Sequence, residues 1–364
     1  MDVTKLMSKA ALEKEESRRA SRAASNIDFS KLIRMGFNEH PYGMSPKALE
    51  VIIEESKTSN LYGDFQKKEI TEKLARFYGL EPENVLAGAG SSPLIETIGC
   101  AFLNPGDEVL MCPTFAAFID MAQIRMATPV IVPLTEDKVY DLDALYEAIT
   151  DKTKIIVVCN PNNPTGTYVG KQKLIEFIKK VPDDILILMD EAYLEFATAS
   201  DCVSMYPLIK EMPEKPIIVM KTFSKYYGMA GVRVGYAMGN KALIDAMKKC
   251  PGTMISKAGQ AGAIAALADQ DYYKEVKKKV VAGMTYLEEE LTKLGCKVYH
   301  SQTNFILFDP YMDAQEVRNA LMERGIMISA PNICRVSVGK MEENELFIKY
   351  MKEILEENAL KKEA

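Results

Sequence analysis

The chain has 364 residues, 48% hydrophobic and 26% charged, with a formal net charge of -6. The composition is that of a soluble globular protein, and the acidic balance argues against nucleic acid as the main partner. The length exceeds what one hydrophobic core usually serves, so two domains are expected. Two histidines exclude a histidine-rich metal site, and no metal is expected. Seven scattered cysteines, an odd number with no Cys-x-x-Cys, read as reduced buried thiols in a cytoplasmic protein. No apolar run approaches the ~20 residues that span a bilayer. The basic stretch Ser17–Arg22 is not followed by the apolar segment of a signal peptide.

In chain order, residues 4–25 read as a charged helix with little apolar face, part of an arm over 1–34. Met35–Pro46 holds two prolines and two glycines, which forbid regular structure, and Asn38 and Tyr42 there can contact a ligand. Ser45 and Pro46 suit the cap and first position of a helix. A turn at Asn60–Asp64 precedes a helix over Gln66–Tyr78. Asn84–Pro93 then reads as strand, glycine-rich turn and the start of the helix Leu94–Leu103, a phosphate-binding arrangement. Gly88 and Gly90 half-match a dinucleotide fingerprint, and Pro93 breaks it.

From there strands and helices alternate. The expected strands are Glu108–Cys112, Pro129–Pro133, Ile155–Cys159, Ile185–Asp190, Pro216–Lys221 and Arg233–Met238. Most lack polar alternation, as strands covered on both faces do. Helices are expected at Phe115–Met126, Leu142–Ile149 and Lys171–Lys180. The fold class is α/β, a doubly wound, mostly parallel sheet over residues 35–255, where ligands sit at the carboxyl ends of the strands. Residues 256–364 read as a smaller α+β domain with a long helix over Asp271–Leu294. That domain holds a helix at Ala314–Arg324, strands at Asn304–Phe308, Ile326–Ser329 and Arg335–Val338, and a terminal helix from Glu342.

The chemistry concentrates at strand ends. Cys159–Gly166 makes a rigid turn that aims amide side chains at the crevice. Asp190 ends a wholly apolar strand, where a carboxylate needs a partner, and a protonated pyridine nitrogen is one that satisfies it. Thr222, Ser224, Lys225 and Arg233 combine phosphate donors with an amine nucleophile, the set that pyridoxal phosphate needs. Phe115 can stack on a ring, and Arg335 can clamp a carboxylate.

These residues bring a family into view. Asn38–Gly43, Gly90-Ser91, Pro113–Phe115, Asn160–Gly166, Asp190–Tyr193, Thr222–Lys225, Gly231–Gly235, Thr303–Phe305 and Arg335–Gly339 together resemble the fold-type-I pyridoxal-phosphate aminotransferases, nearest the histidinol-phosphate aminotransferase branch. The resemblance covers about residues 35–355. It implies an aspartate-aminotransferase-like large domain and pyridoxal 5'-phosphate as cofactor. Lys225 is then the Schiff-base lysine and proton carrier, with Asp190 on the pyridine nitrogen and Tyr193 and Asn163 on the ring hydroxyl. Phe115 stacks on the ring, while Gly90, Ser91, Ser92, Thr222, Ser224 and Arg233 hold the phosphate. Tyr62 reaches the neighbouring subunit's site, implying a homodimer with shared active sites. Tyr42, Asn163 and Arg335 face an amino acid or 2-oxo acid substrate.

Two departures stand out. The glycine turn continues Ser91-Ser92-Pro93 where the family usually has Ser-Asp-Glu. Ser329 stands where the family typically has an arginine that helps hold the phosphate of histidinol phosphate, which makes an amino acid with a neutral or aromatic side chain a competing substrate. A decarboxylase or racemase on the same cofactor is the alternative activity.

Overall fold

The computed structural model describes residues 3–13, 28 and 31–363. Its strands, in chain order, are β1 (Ile33–Met35), β2 (Val85–Gly88), β3 (Glu108–Met111), β4 (Thr128–Ile131), β5 (Thr153–Cys159) and β6 (Leu186–Asp190). They continue with β7 (Ile217–Thr222), β8 (Gly235–Gly239), β9 (Lys297–Tyr299), β10 (Phe305–Asp309), β11 (Ile326–Ile328) and β12 (Cys334–Ser337). Seven of them form one sheet in the order β2-β8-β7-β6-β5-β3-β4. Strands β7, β6, β5, β3 and β4 run parallel, and β8 is antiparallel to both its neighbours. The architecture is the expected α/β fold with a mostly parallel central sheet.

The apolar strand runs have a direct cause. In β5, Ile155 and Val157 join one core cluster, and Ile156 and Val158 join the other. In β6 the split is Leu186 and Leu188 against Ile187 and Met189. Alternate side chains leave opposite faces of a strand, so a sheet covered by helices on both faces needs apolar residues at every position. One face carries the helices Ser91–Phe102 and Ala117–Ile124, and the other carries Lys171–Lys180.

The C-terminal region builds a three-stranded antiparallel sheet, β12-β10-β9, against the long helix Gln270–Lys293. Strand β1 leaves the N-terminal segment to pair in parallel with β11. This short pairing carries the loop that follows, residues 36–45, past the end of β12. Ser45 caps the helix Pro46–Ser56, accepting from the Ala48 amide at 3.1 Å.

Some elements carry no local signal. The helix Lys257–Ala268 contains Gly259 and Gly262, which lower helix propensity. It forms because it packs closely on Pro46–Ser56: a Cβ on Gly262 would come within 2.4 Å of Ile52. Strands β1 and β9 have three residues each, too few for periodicity to register. Of the charged helix expected over residues 4–25, a 3-10 turn at Thr4–Leu6 and a helix at Lys9–Glu13 are present, and 14–25 lie outside the described residues. Among the described residues no helix is long and apolar enough to cross a membrane.

Candidate active site

The ends of β6 and β7 and the turn after β2 converge at the carboxyl edge of the sheet. Gly90 has φ +98° and precedes the helix Ser91–Phe102, so Ser91 and Ser92 occupy the helix's first turn, where amides point outward. A Cβ on Gly90 would sit 2.4 Å from an Arg233 guanidinium nitrogen, so the missing side chain makes room for that cation. Arg233 itself has φ +62°, a conformation uncommon outside glycine, and donates to Ser224 Oγ at 3.2 Å and to the Ala230 carbonyl at 2.8 Å. Thr222 Oγ1 accepts from the Ser224 amide at 3.1 Å. Two hydroxyls, a guanidinium and a helix N-terminus thus share one corner, the chemistry of a phosphate cradle.

Asp190 is the last residue of β6 and is 4% exposed. One carboxylate oxygen accepts from the Ala192 amide at 3.2 Å. Burial pushes its pKa up to about 6, the Ala192 amide partly opposes this, and neighbouring Glu191 raises it further. A cation brought beside this carboxylate would restore its charge. Behind it lies a buried ion network: Lys221 bridges Glu195 at 2.7 Å and Glu191 at 3.4 Å, and Glu191 accepts from the Met205 amide at 2.7 Å.

Lys225 follows β7 and donates to the Phe37 carbonyl at 3.0 Å. Its Nζ lies 5.6 Å from the centre of the Tyr193 ring. Burial, with Arg335 and Arg233 nearby, brings its pKa down to about 8 against the pull of Glu39 and Asp190. A neutral amine is therefore accessible near neutral pH, which nucleophilic and proton-transfer roles both require.

A hydrogen-bonded chain links Lys225's surroundings to the small sheet. Arg335, on β12, donates to Asn163 Oδ1 at 2.5 Å and to the Gly36 carbonyl at 3.2 Å. Asn163 Nδ2 lies 3.4 Å from the Tyr193 hydroxyl, and Asn38 Nδ2 donates to the same oxygen at 3.1 Å. Burial raises the Tyr193 pKa, so the phenol stays protonated. Ser329 pairs with Arg335 through both backbone bonds, at 3.1 and 2.7 Å. Directly opposed residues put their side chains on the same face of a sheet, so position 329 adjoins the Arg335 side chain.

The remaining expected residues are more peripheral. Phe115 precedes the helix Ala117–Ile124 and meets Phe118 edge-on, 6.3 Å between centroids. Tyr42 sits against Lys279, whose Nζ is 5.3 Å from its ring centre. Tyr62 is 79% exposed and packs on Phe65 at 5.2 Å. Asn38, expected as a possible ligand contact and as the first residue of the Asn38–Gly43 match, is 1% exposed and central to the chain of bonds. Glu39, which enters the sequence reading only within the Asn38–Gly43 match, acts on Lys225 through its charge. The signal for both was a polar pair in a loop bounded by proline and glycine.

The set fits pyridoxal phosphate: a buried carboxylate in want of a cation, a depressed lysine and a phosphate cradle shaped by Gly90. The fold is α/β and aspartate-aminotransferase-like. The family model for aminotransferase class I and II matches residues 30–351. The chain is 37% identical over 333 residues to a histidinol-phosphate aminotransferase of Bacillus velezensis, covering 89% of this chain and 92% of that one. It is likewise 37% identical over 343 residues to histidinol-phosphate aminotransferase 1 of Bacillus cereus, covering 92% of each. The Sinorhizobium meliloti histidinol-phosphate aminotransferase, solved in complex with pyridoxal-5'-phosphate, superposes with a TM-score of 0.87 at 27% identity, covering 96% of this chain and 98% of that one. An aspartate aminotransferase of Thermus thermophilus solved with maleate shares the fold, with a TM-score of 0.83 at 22% identity over 96% and 99% of the two chains. This chain belongs to the class I and II aminotransferases.

Proposed function

We propose that this protein is a pyridoxal-phosphate-dependent aminotransferase of the histidinol-phosphate aminotransferase type. It moves an amino group between an amino acid or histidinol phosphate and a 2-oxo acid, with donor and acceptor taking turns in one site. The observation that carries the reading is the placement of Asp190 at the end of β6 and of Lys225 in the turn just beyond the end of the adjacent parallel strand β7, with Tyr193 against the lysine. The relatives give no support to a decarboxylase or racemase.

Bound in this site, pyridoxal phosphate supplies a carbon that takes up the amino group and a ring that accepts the electron pair released at the substrate's α-carbon. Asp190 would hold the ring nitrogen protonated, and its burial strengthens that pairing. Tyr193 and Asn163 would hold the ring hydroxyl, and Phe115 the ring face. Gly90, Ser91, Ser92, Thr222, Ser224 and Arg233 would hold the phosphate. Lys225 Nζ, with its pKa near 8, takes the proton from the α-carbon and returns it on the other side of the exchange. Arg335 binds the substrate carboxylate as a two-pronged donor, and Tyr42 lines the pocket.

Ser329 favours a second reading of the substrate. One arginine, not two, stands on that face of the small sheet, so a donor with a neutral or aromatic side chain competes with histidinol phosphate. The chain reads as an arm over 1–34, a cofactor domain over 35–255 and a small domain over 256–364, working as a cytoplasmic homodimer in which Tyr62 crosses to the neighbouring site.

The test is a panel of donors, including histidinol phosphate and aromatic amino acids, offered to the cofactor-loaded protein with 2-oxoglutarate. Amino transfer is expected in the native protein and its loss in Lys225→Ala. A Lys225→Ala protein that still transfers amino groups at the native rate would overturn the assignment.

A further inference from the structure

We propose that Asn38 is a positioning residue for amino transfer: its carboxamide sets the direction of the Tyr193 phenol proton, keeping it available to the cofactor's ring hydroxyl. The inference rests on the transaminase reading above and extends it to a loop residue that touches the chemistry only through Tyr193.

The argument is an accounting of donors. The Tyr193 oxygen has one proton and two acceptor positions. Asn163 turns its Nδ2 toward that oxygen, because its Oδ1 is taken by Arg335, and a guanidinium can only donate. Asn38 Nδ2 approaches the same oxygen at 3.1 Å. Its orientation is fixed on the other side by Ser337. The Ser337 hydroxyl accepts from the Asn38 amide at 2.9 Å and donates its own proton to Asn38 Oδ1 at 3.1 Å. Flipping the Asn38 carboxamide would strand that proton in a place where Ser337 is 1% exposed. Two amides therefore point N–H groups at the phenol oxygen. Its proton is turned away from both and toward the site.

The loop is built to hold this arrangement. Asn38 has φ +56°, a left-handed conformation that asparagine tolerates better than most residues. Asn304, fully buried on the small sheet's side, donates to the Asn38 and Glu39 carbonyls at 3.2 and 3.3 Å. The loop's neighbouring carbonyls, Gly36 and Phe37, accept from Arg335 and Lys225. One short segment thus meets the carboxylate-binding arginine, the reactive lysine and the ring-facing tyrosine.

The experiment is a double-mutant cycle in the cofactor-loaded protein with Asn38→Gly, Asn38→Asp and Tyr193→Phe. Glycine keeps the left-handed backbone and removes the donor, while aspartate keeps the shape and replaces the donor with an acceptor that draws the phenol proton inward. Two quantities are read: kcat, and the pH midpoint of the visible absorbance of the bound cofactor. Arg335, Arg233, Asp190 and Glu39 already set the field at Lys225, so the charge of aspartate adds an effect that persists without the phenol. Glycine adds none, and its cycle decides the matter. Expected is a fall in kcat of about tenfold for Asn38→Gly, a shifted midpoint, KM changed less than kcat, and no further effect of either kind once Tyr193 is phenylalanine. Asn38→Gly effects that add in full to those of Tyr193→Phe, or an Asn38→Gly protein with native kcat and midpoint, would overturn the proposal while leaving the transaminase reading intact. A native protein that transfers no amino group would overturn both. Should Asn38→Gly fail to fold by circular dichroism, Asn38→Asp is read in its place, on the part of its effect that disappears in the phenylalanine background.

Discussion

At the scale of single residues, Asp190 and Lys225 owe their chemistry to burial. Both are shifted toward their neutral forms, the acid up to about 6 and the amine down to about 8, with burial as the largest cause in each case. A cation beside Asp190 would reverse the first shift, and the second leaves Lys225 with the neutral amine that a cofactor carbonyl would require. Ser329 is the residue at which substrate choice is decided on this reading. Its side chain shares a face with Arg335, so Ser329→Arg would set a second guanidinium beside the first. The expected outcome is a gain in kcat/KM for histidinol phosphate relative to a neutral donor, by roughly tenfold for one added charge-assisted contact. Steady-state kinetics with the two donors measures it, and an unchanged ratio counts against a role for position 329.

At the scale of elements, the site is a consequence of which strand ends are neighbours. Parallel pairing of β5, β6 and β7 puts Cys159 beside Asp190 and Asp190 beside Met220, so the loops that follow leave the sheet at one edge. The glycine turn after β2 reaches that edge because β8 lies between β2 and β7. A Cβ on Gly235, at the start of β8, would meet the Gly90 carbonyl carbon and the Ser91 amide nitrogen at 2.8 Å. Gly90→Ala is expected to be the more informative substitution. Its methyl would displace the Arg233 guanidinium, and the positive φ would be strained as well. Weaker cofactor retention on dialysis is expected, with a loss of thermal stability of about 1–3 kcal/mol. Native retention of the cofactor would show that the cradle does not depend on Arg233 lying over this glycine.

At the scale of the whole molecule, the loop around residue 62 exposes apolar side chains. Leu61, Tyr62 and Phe65 are 59%, 79% and 61% exposed. A cluster of this kind marks an interaction surface in a chain whose other large apolar residues are mostly buried. A second copy of the chain is the occupant that the homodimer reading requires, with Tyr62 crossing to the neighbouring site. Phe65→Asp is expected to shift the sedimentation profile from dimer toward monomer and to make activity fall on dilution. An unchanged profile would place the subunit interface elsewhere.

Much of this was legible before the fold was known. Apolar runs ended by Asp190, by Cys159 before its Asn-Pro turn, and by Lys221 ahead of Thr222 and Lys225 carry the α/β class and most of the candidate site. Each is local, because a strand and the residue that ends it are neighbours in the chain. What the chain in isolation left open is long-range. Asn38 and Ser337, whose bonds orient the carboxamide facing Tyr193, are 299 positions apart. The strand that delivers the loop has three residues, and its partner β11 lies near the other end of the sequence. Periodicity reports the environment of successive residues and not the identity of distant partners. Local sequence was enough to pick out the groups to which the chemistry is here assigned as a proposal. Only tertiary structure decided how their protons and charges are turned toward one another, since that depends on contacts closed by folding.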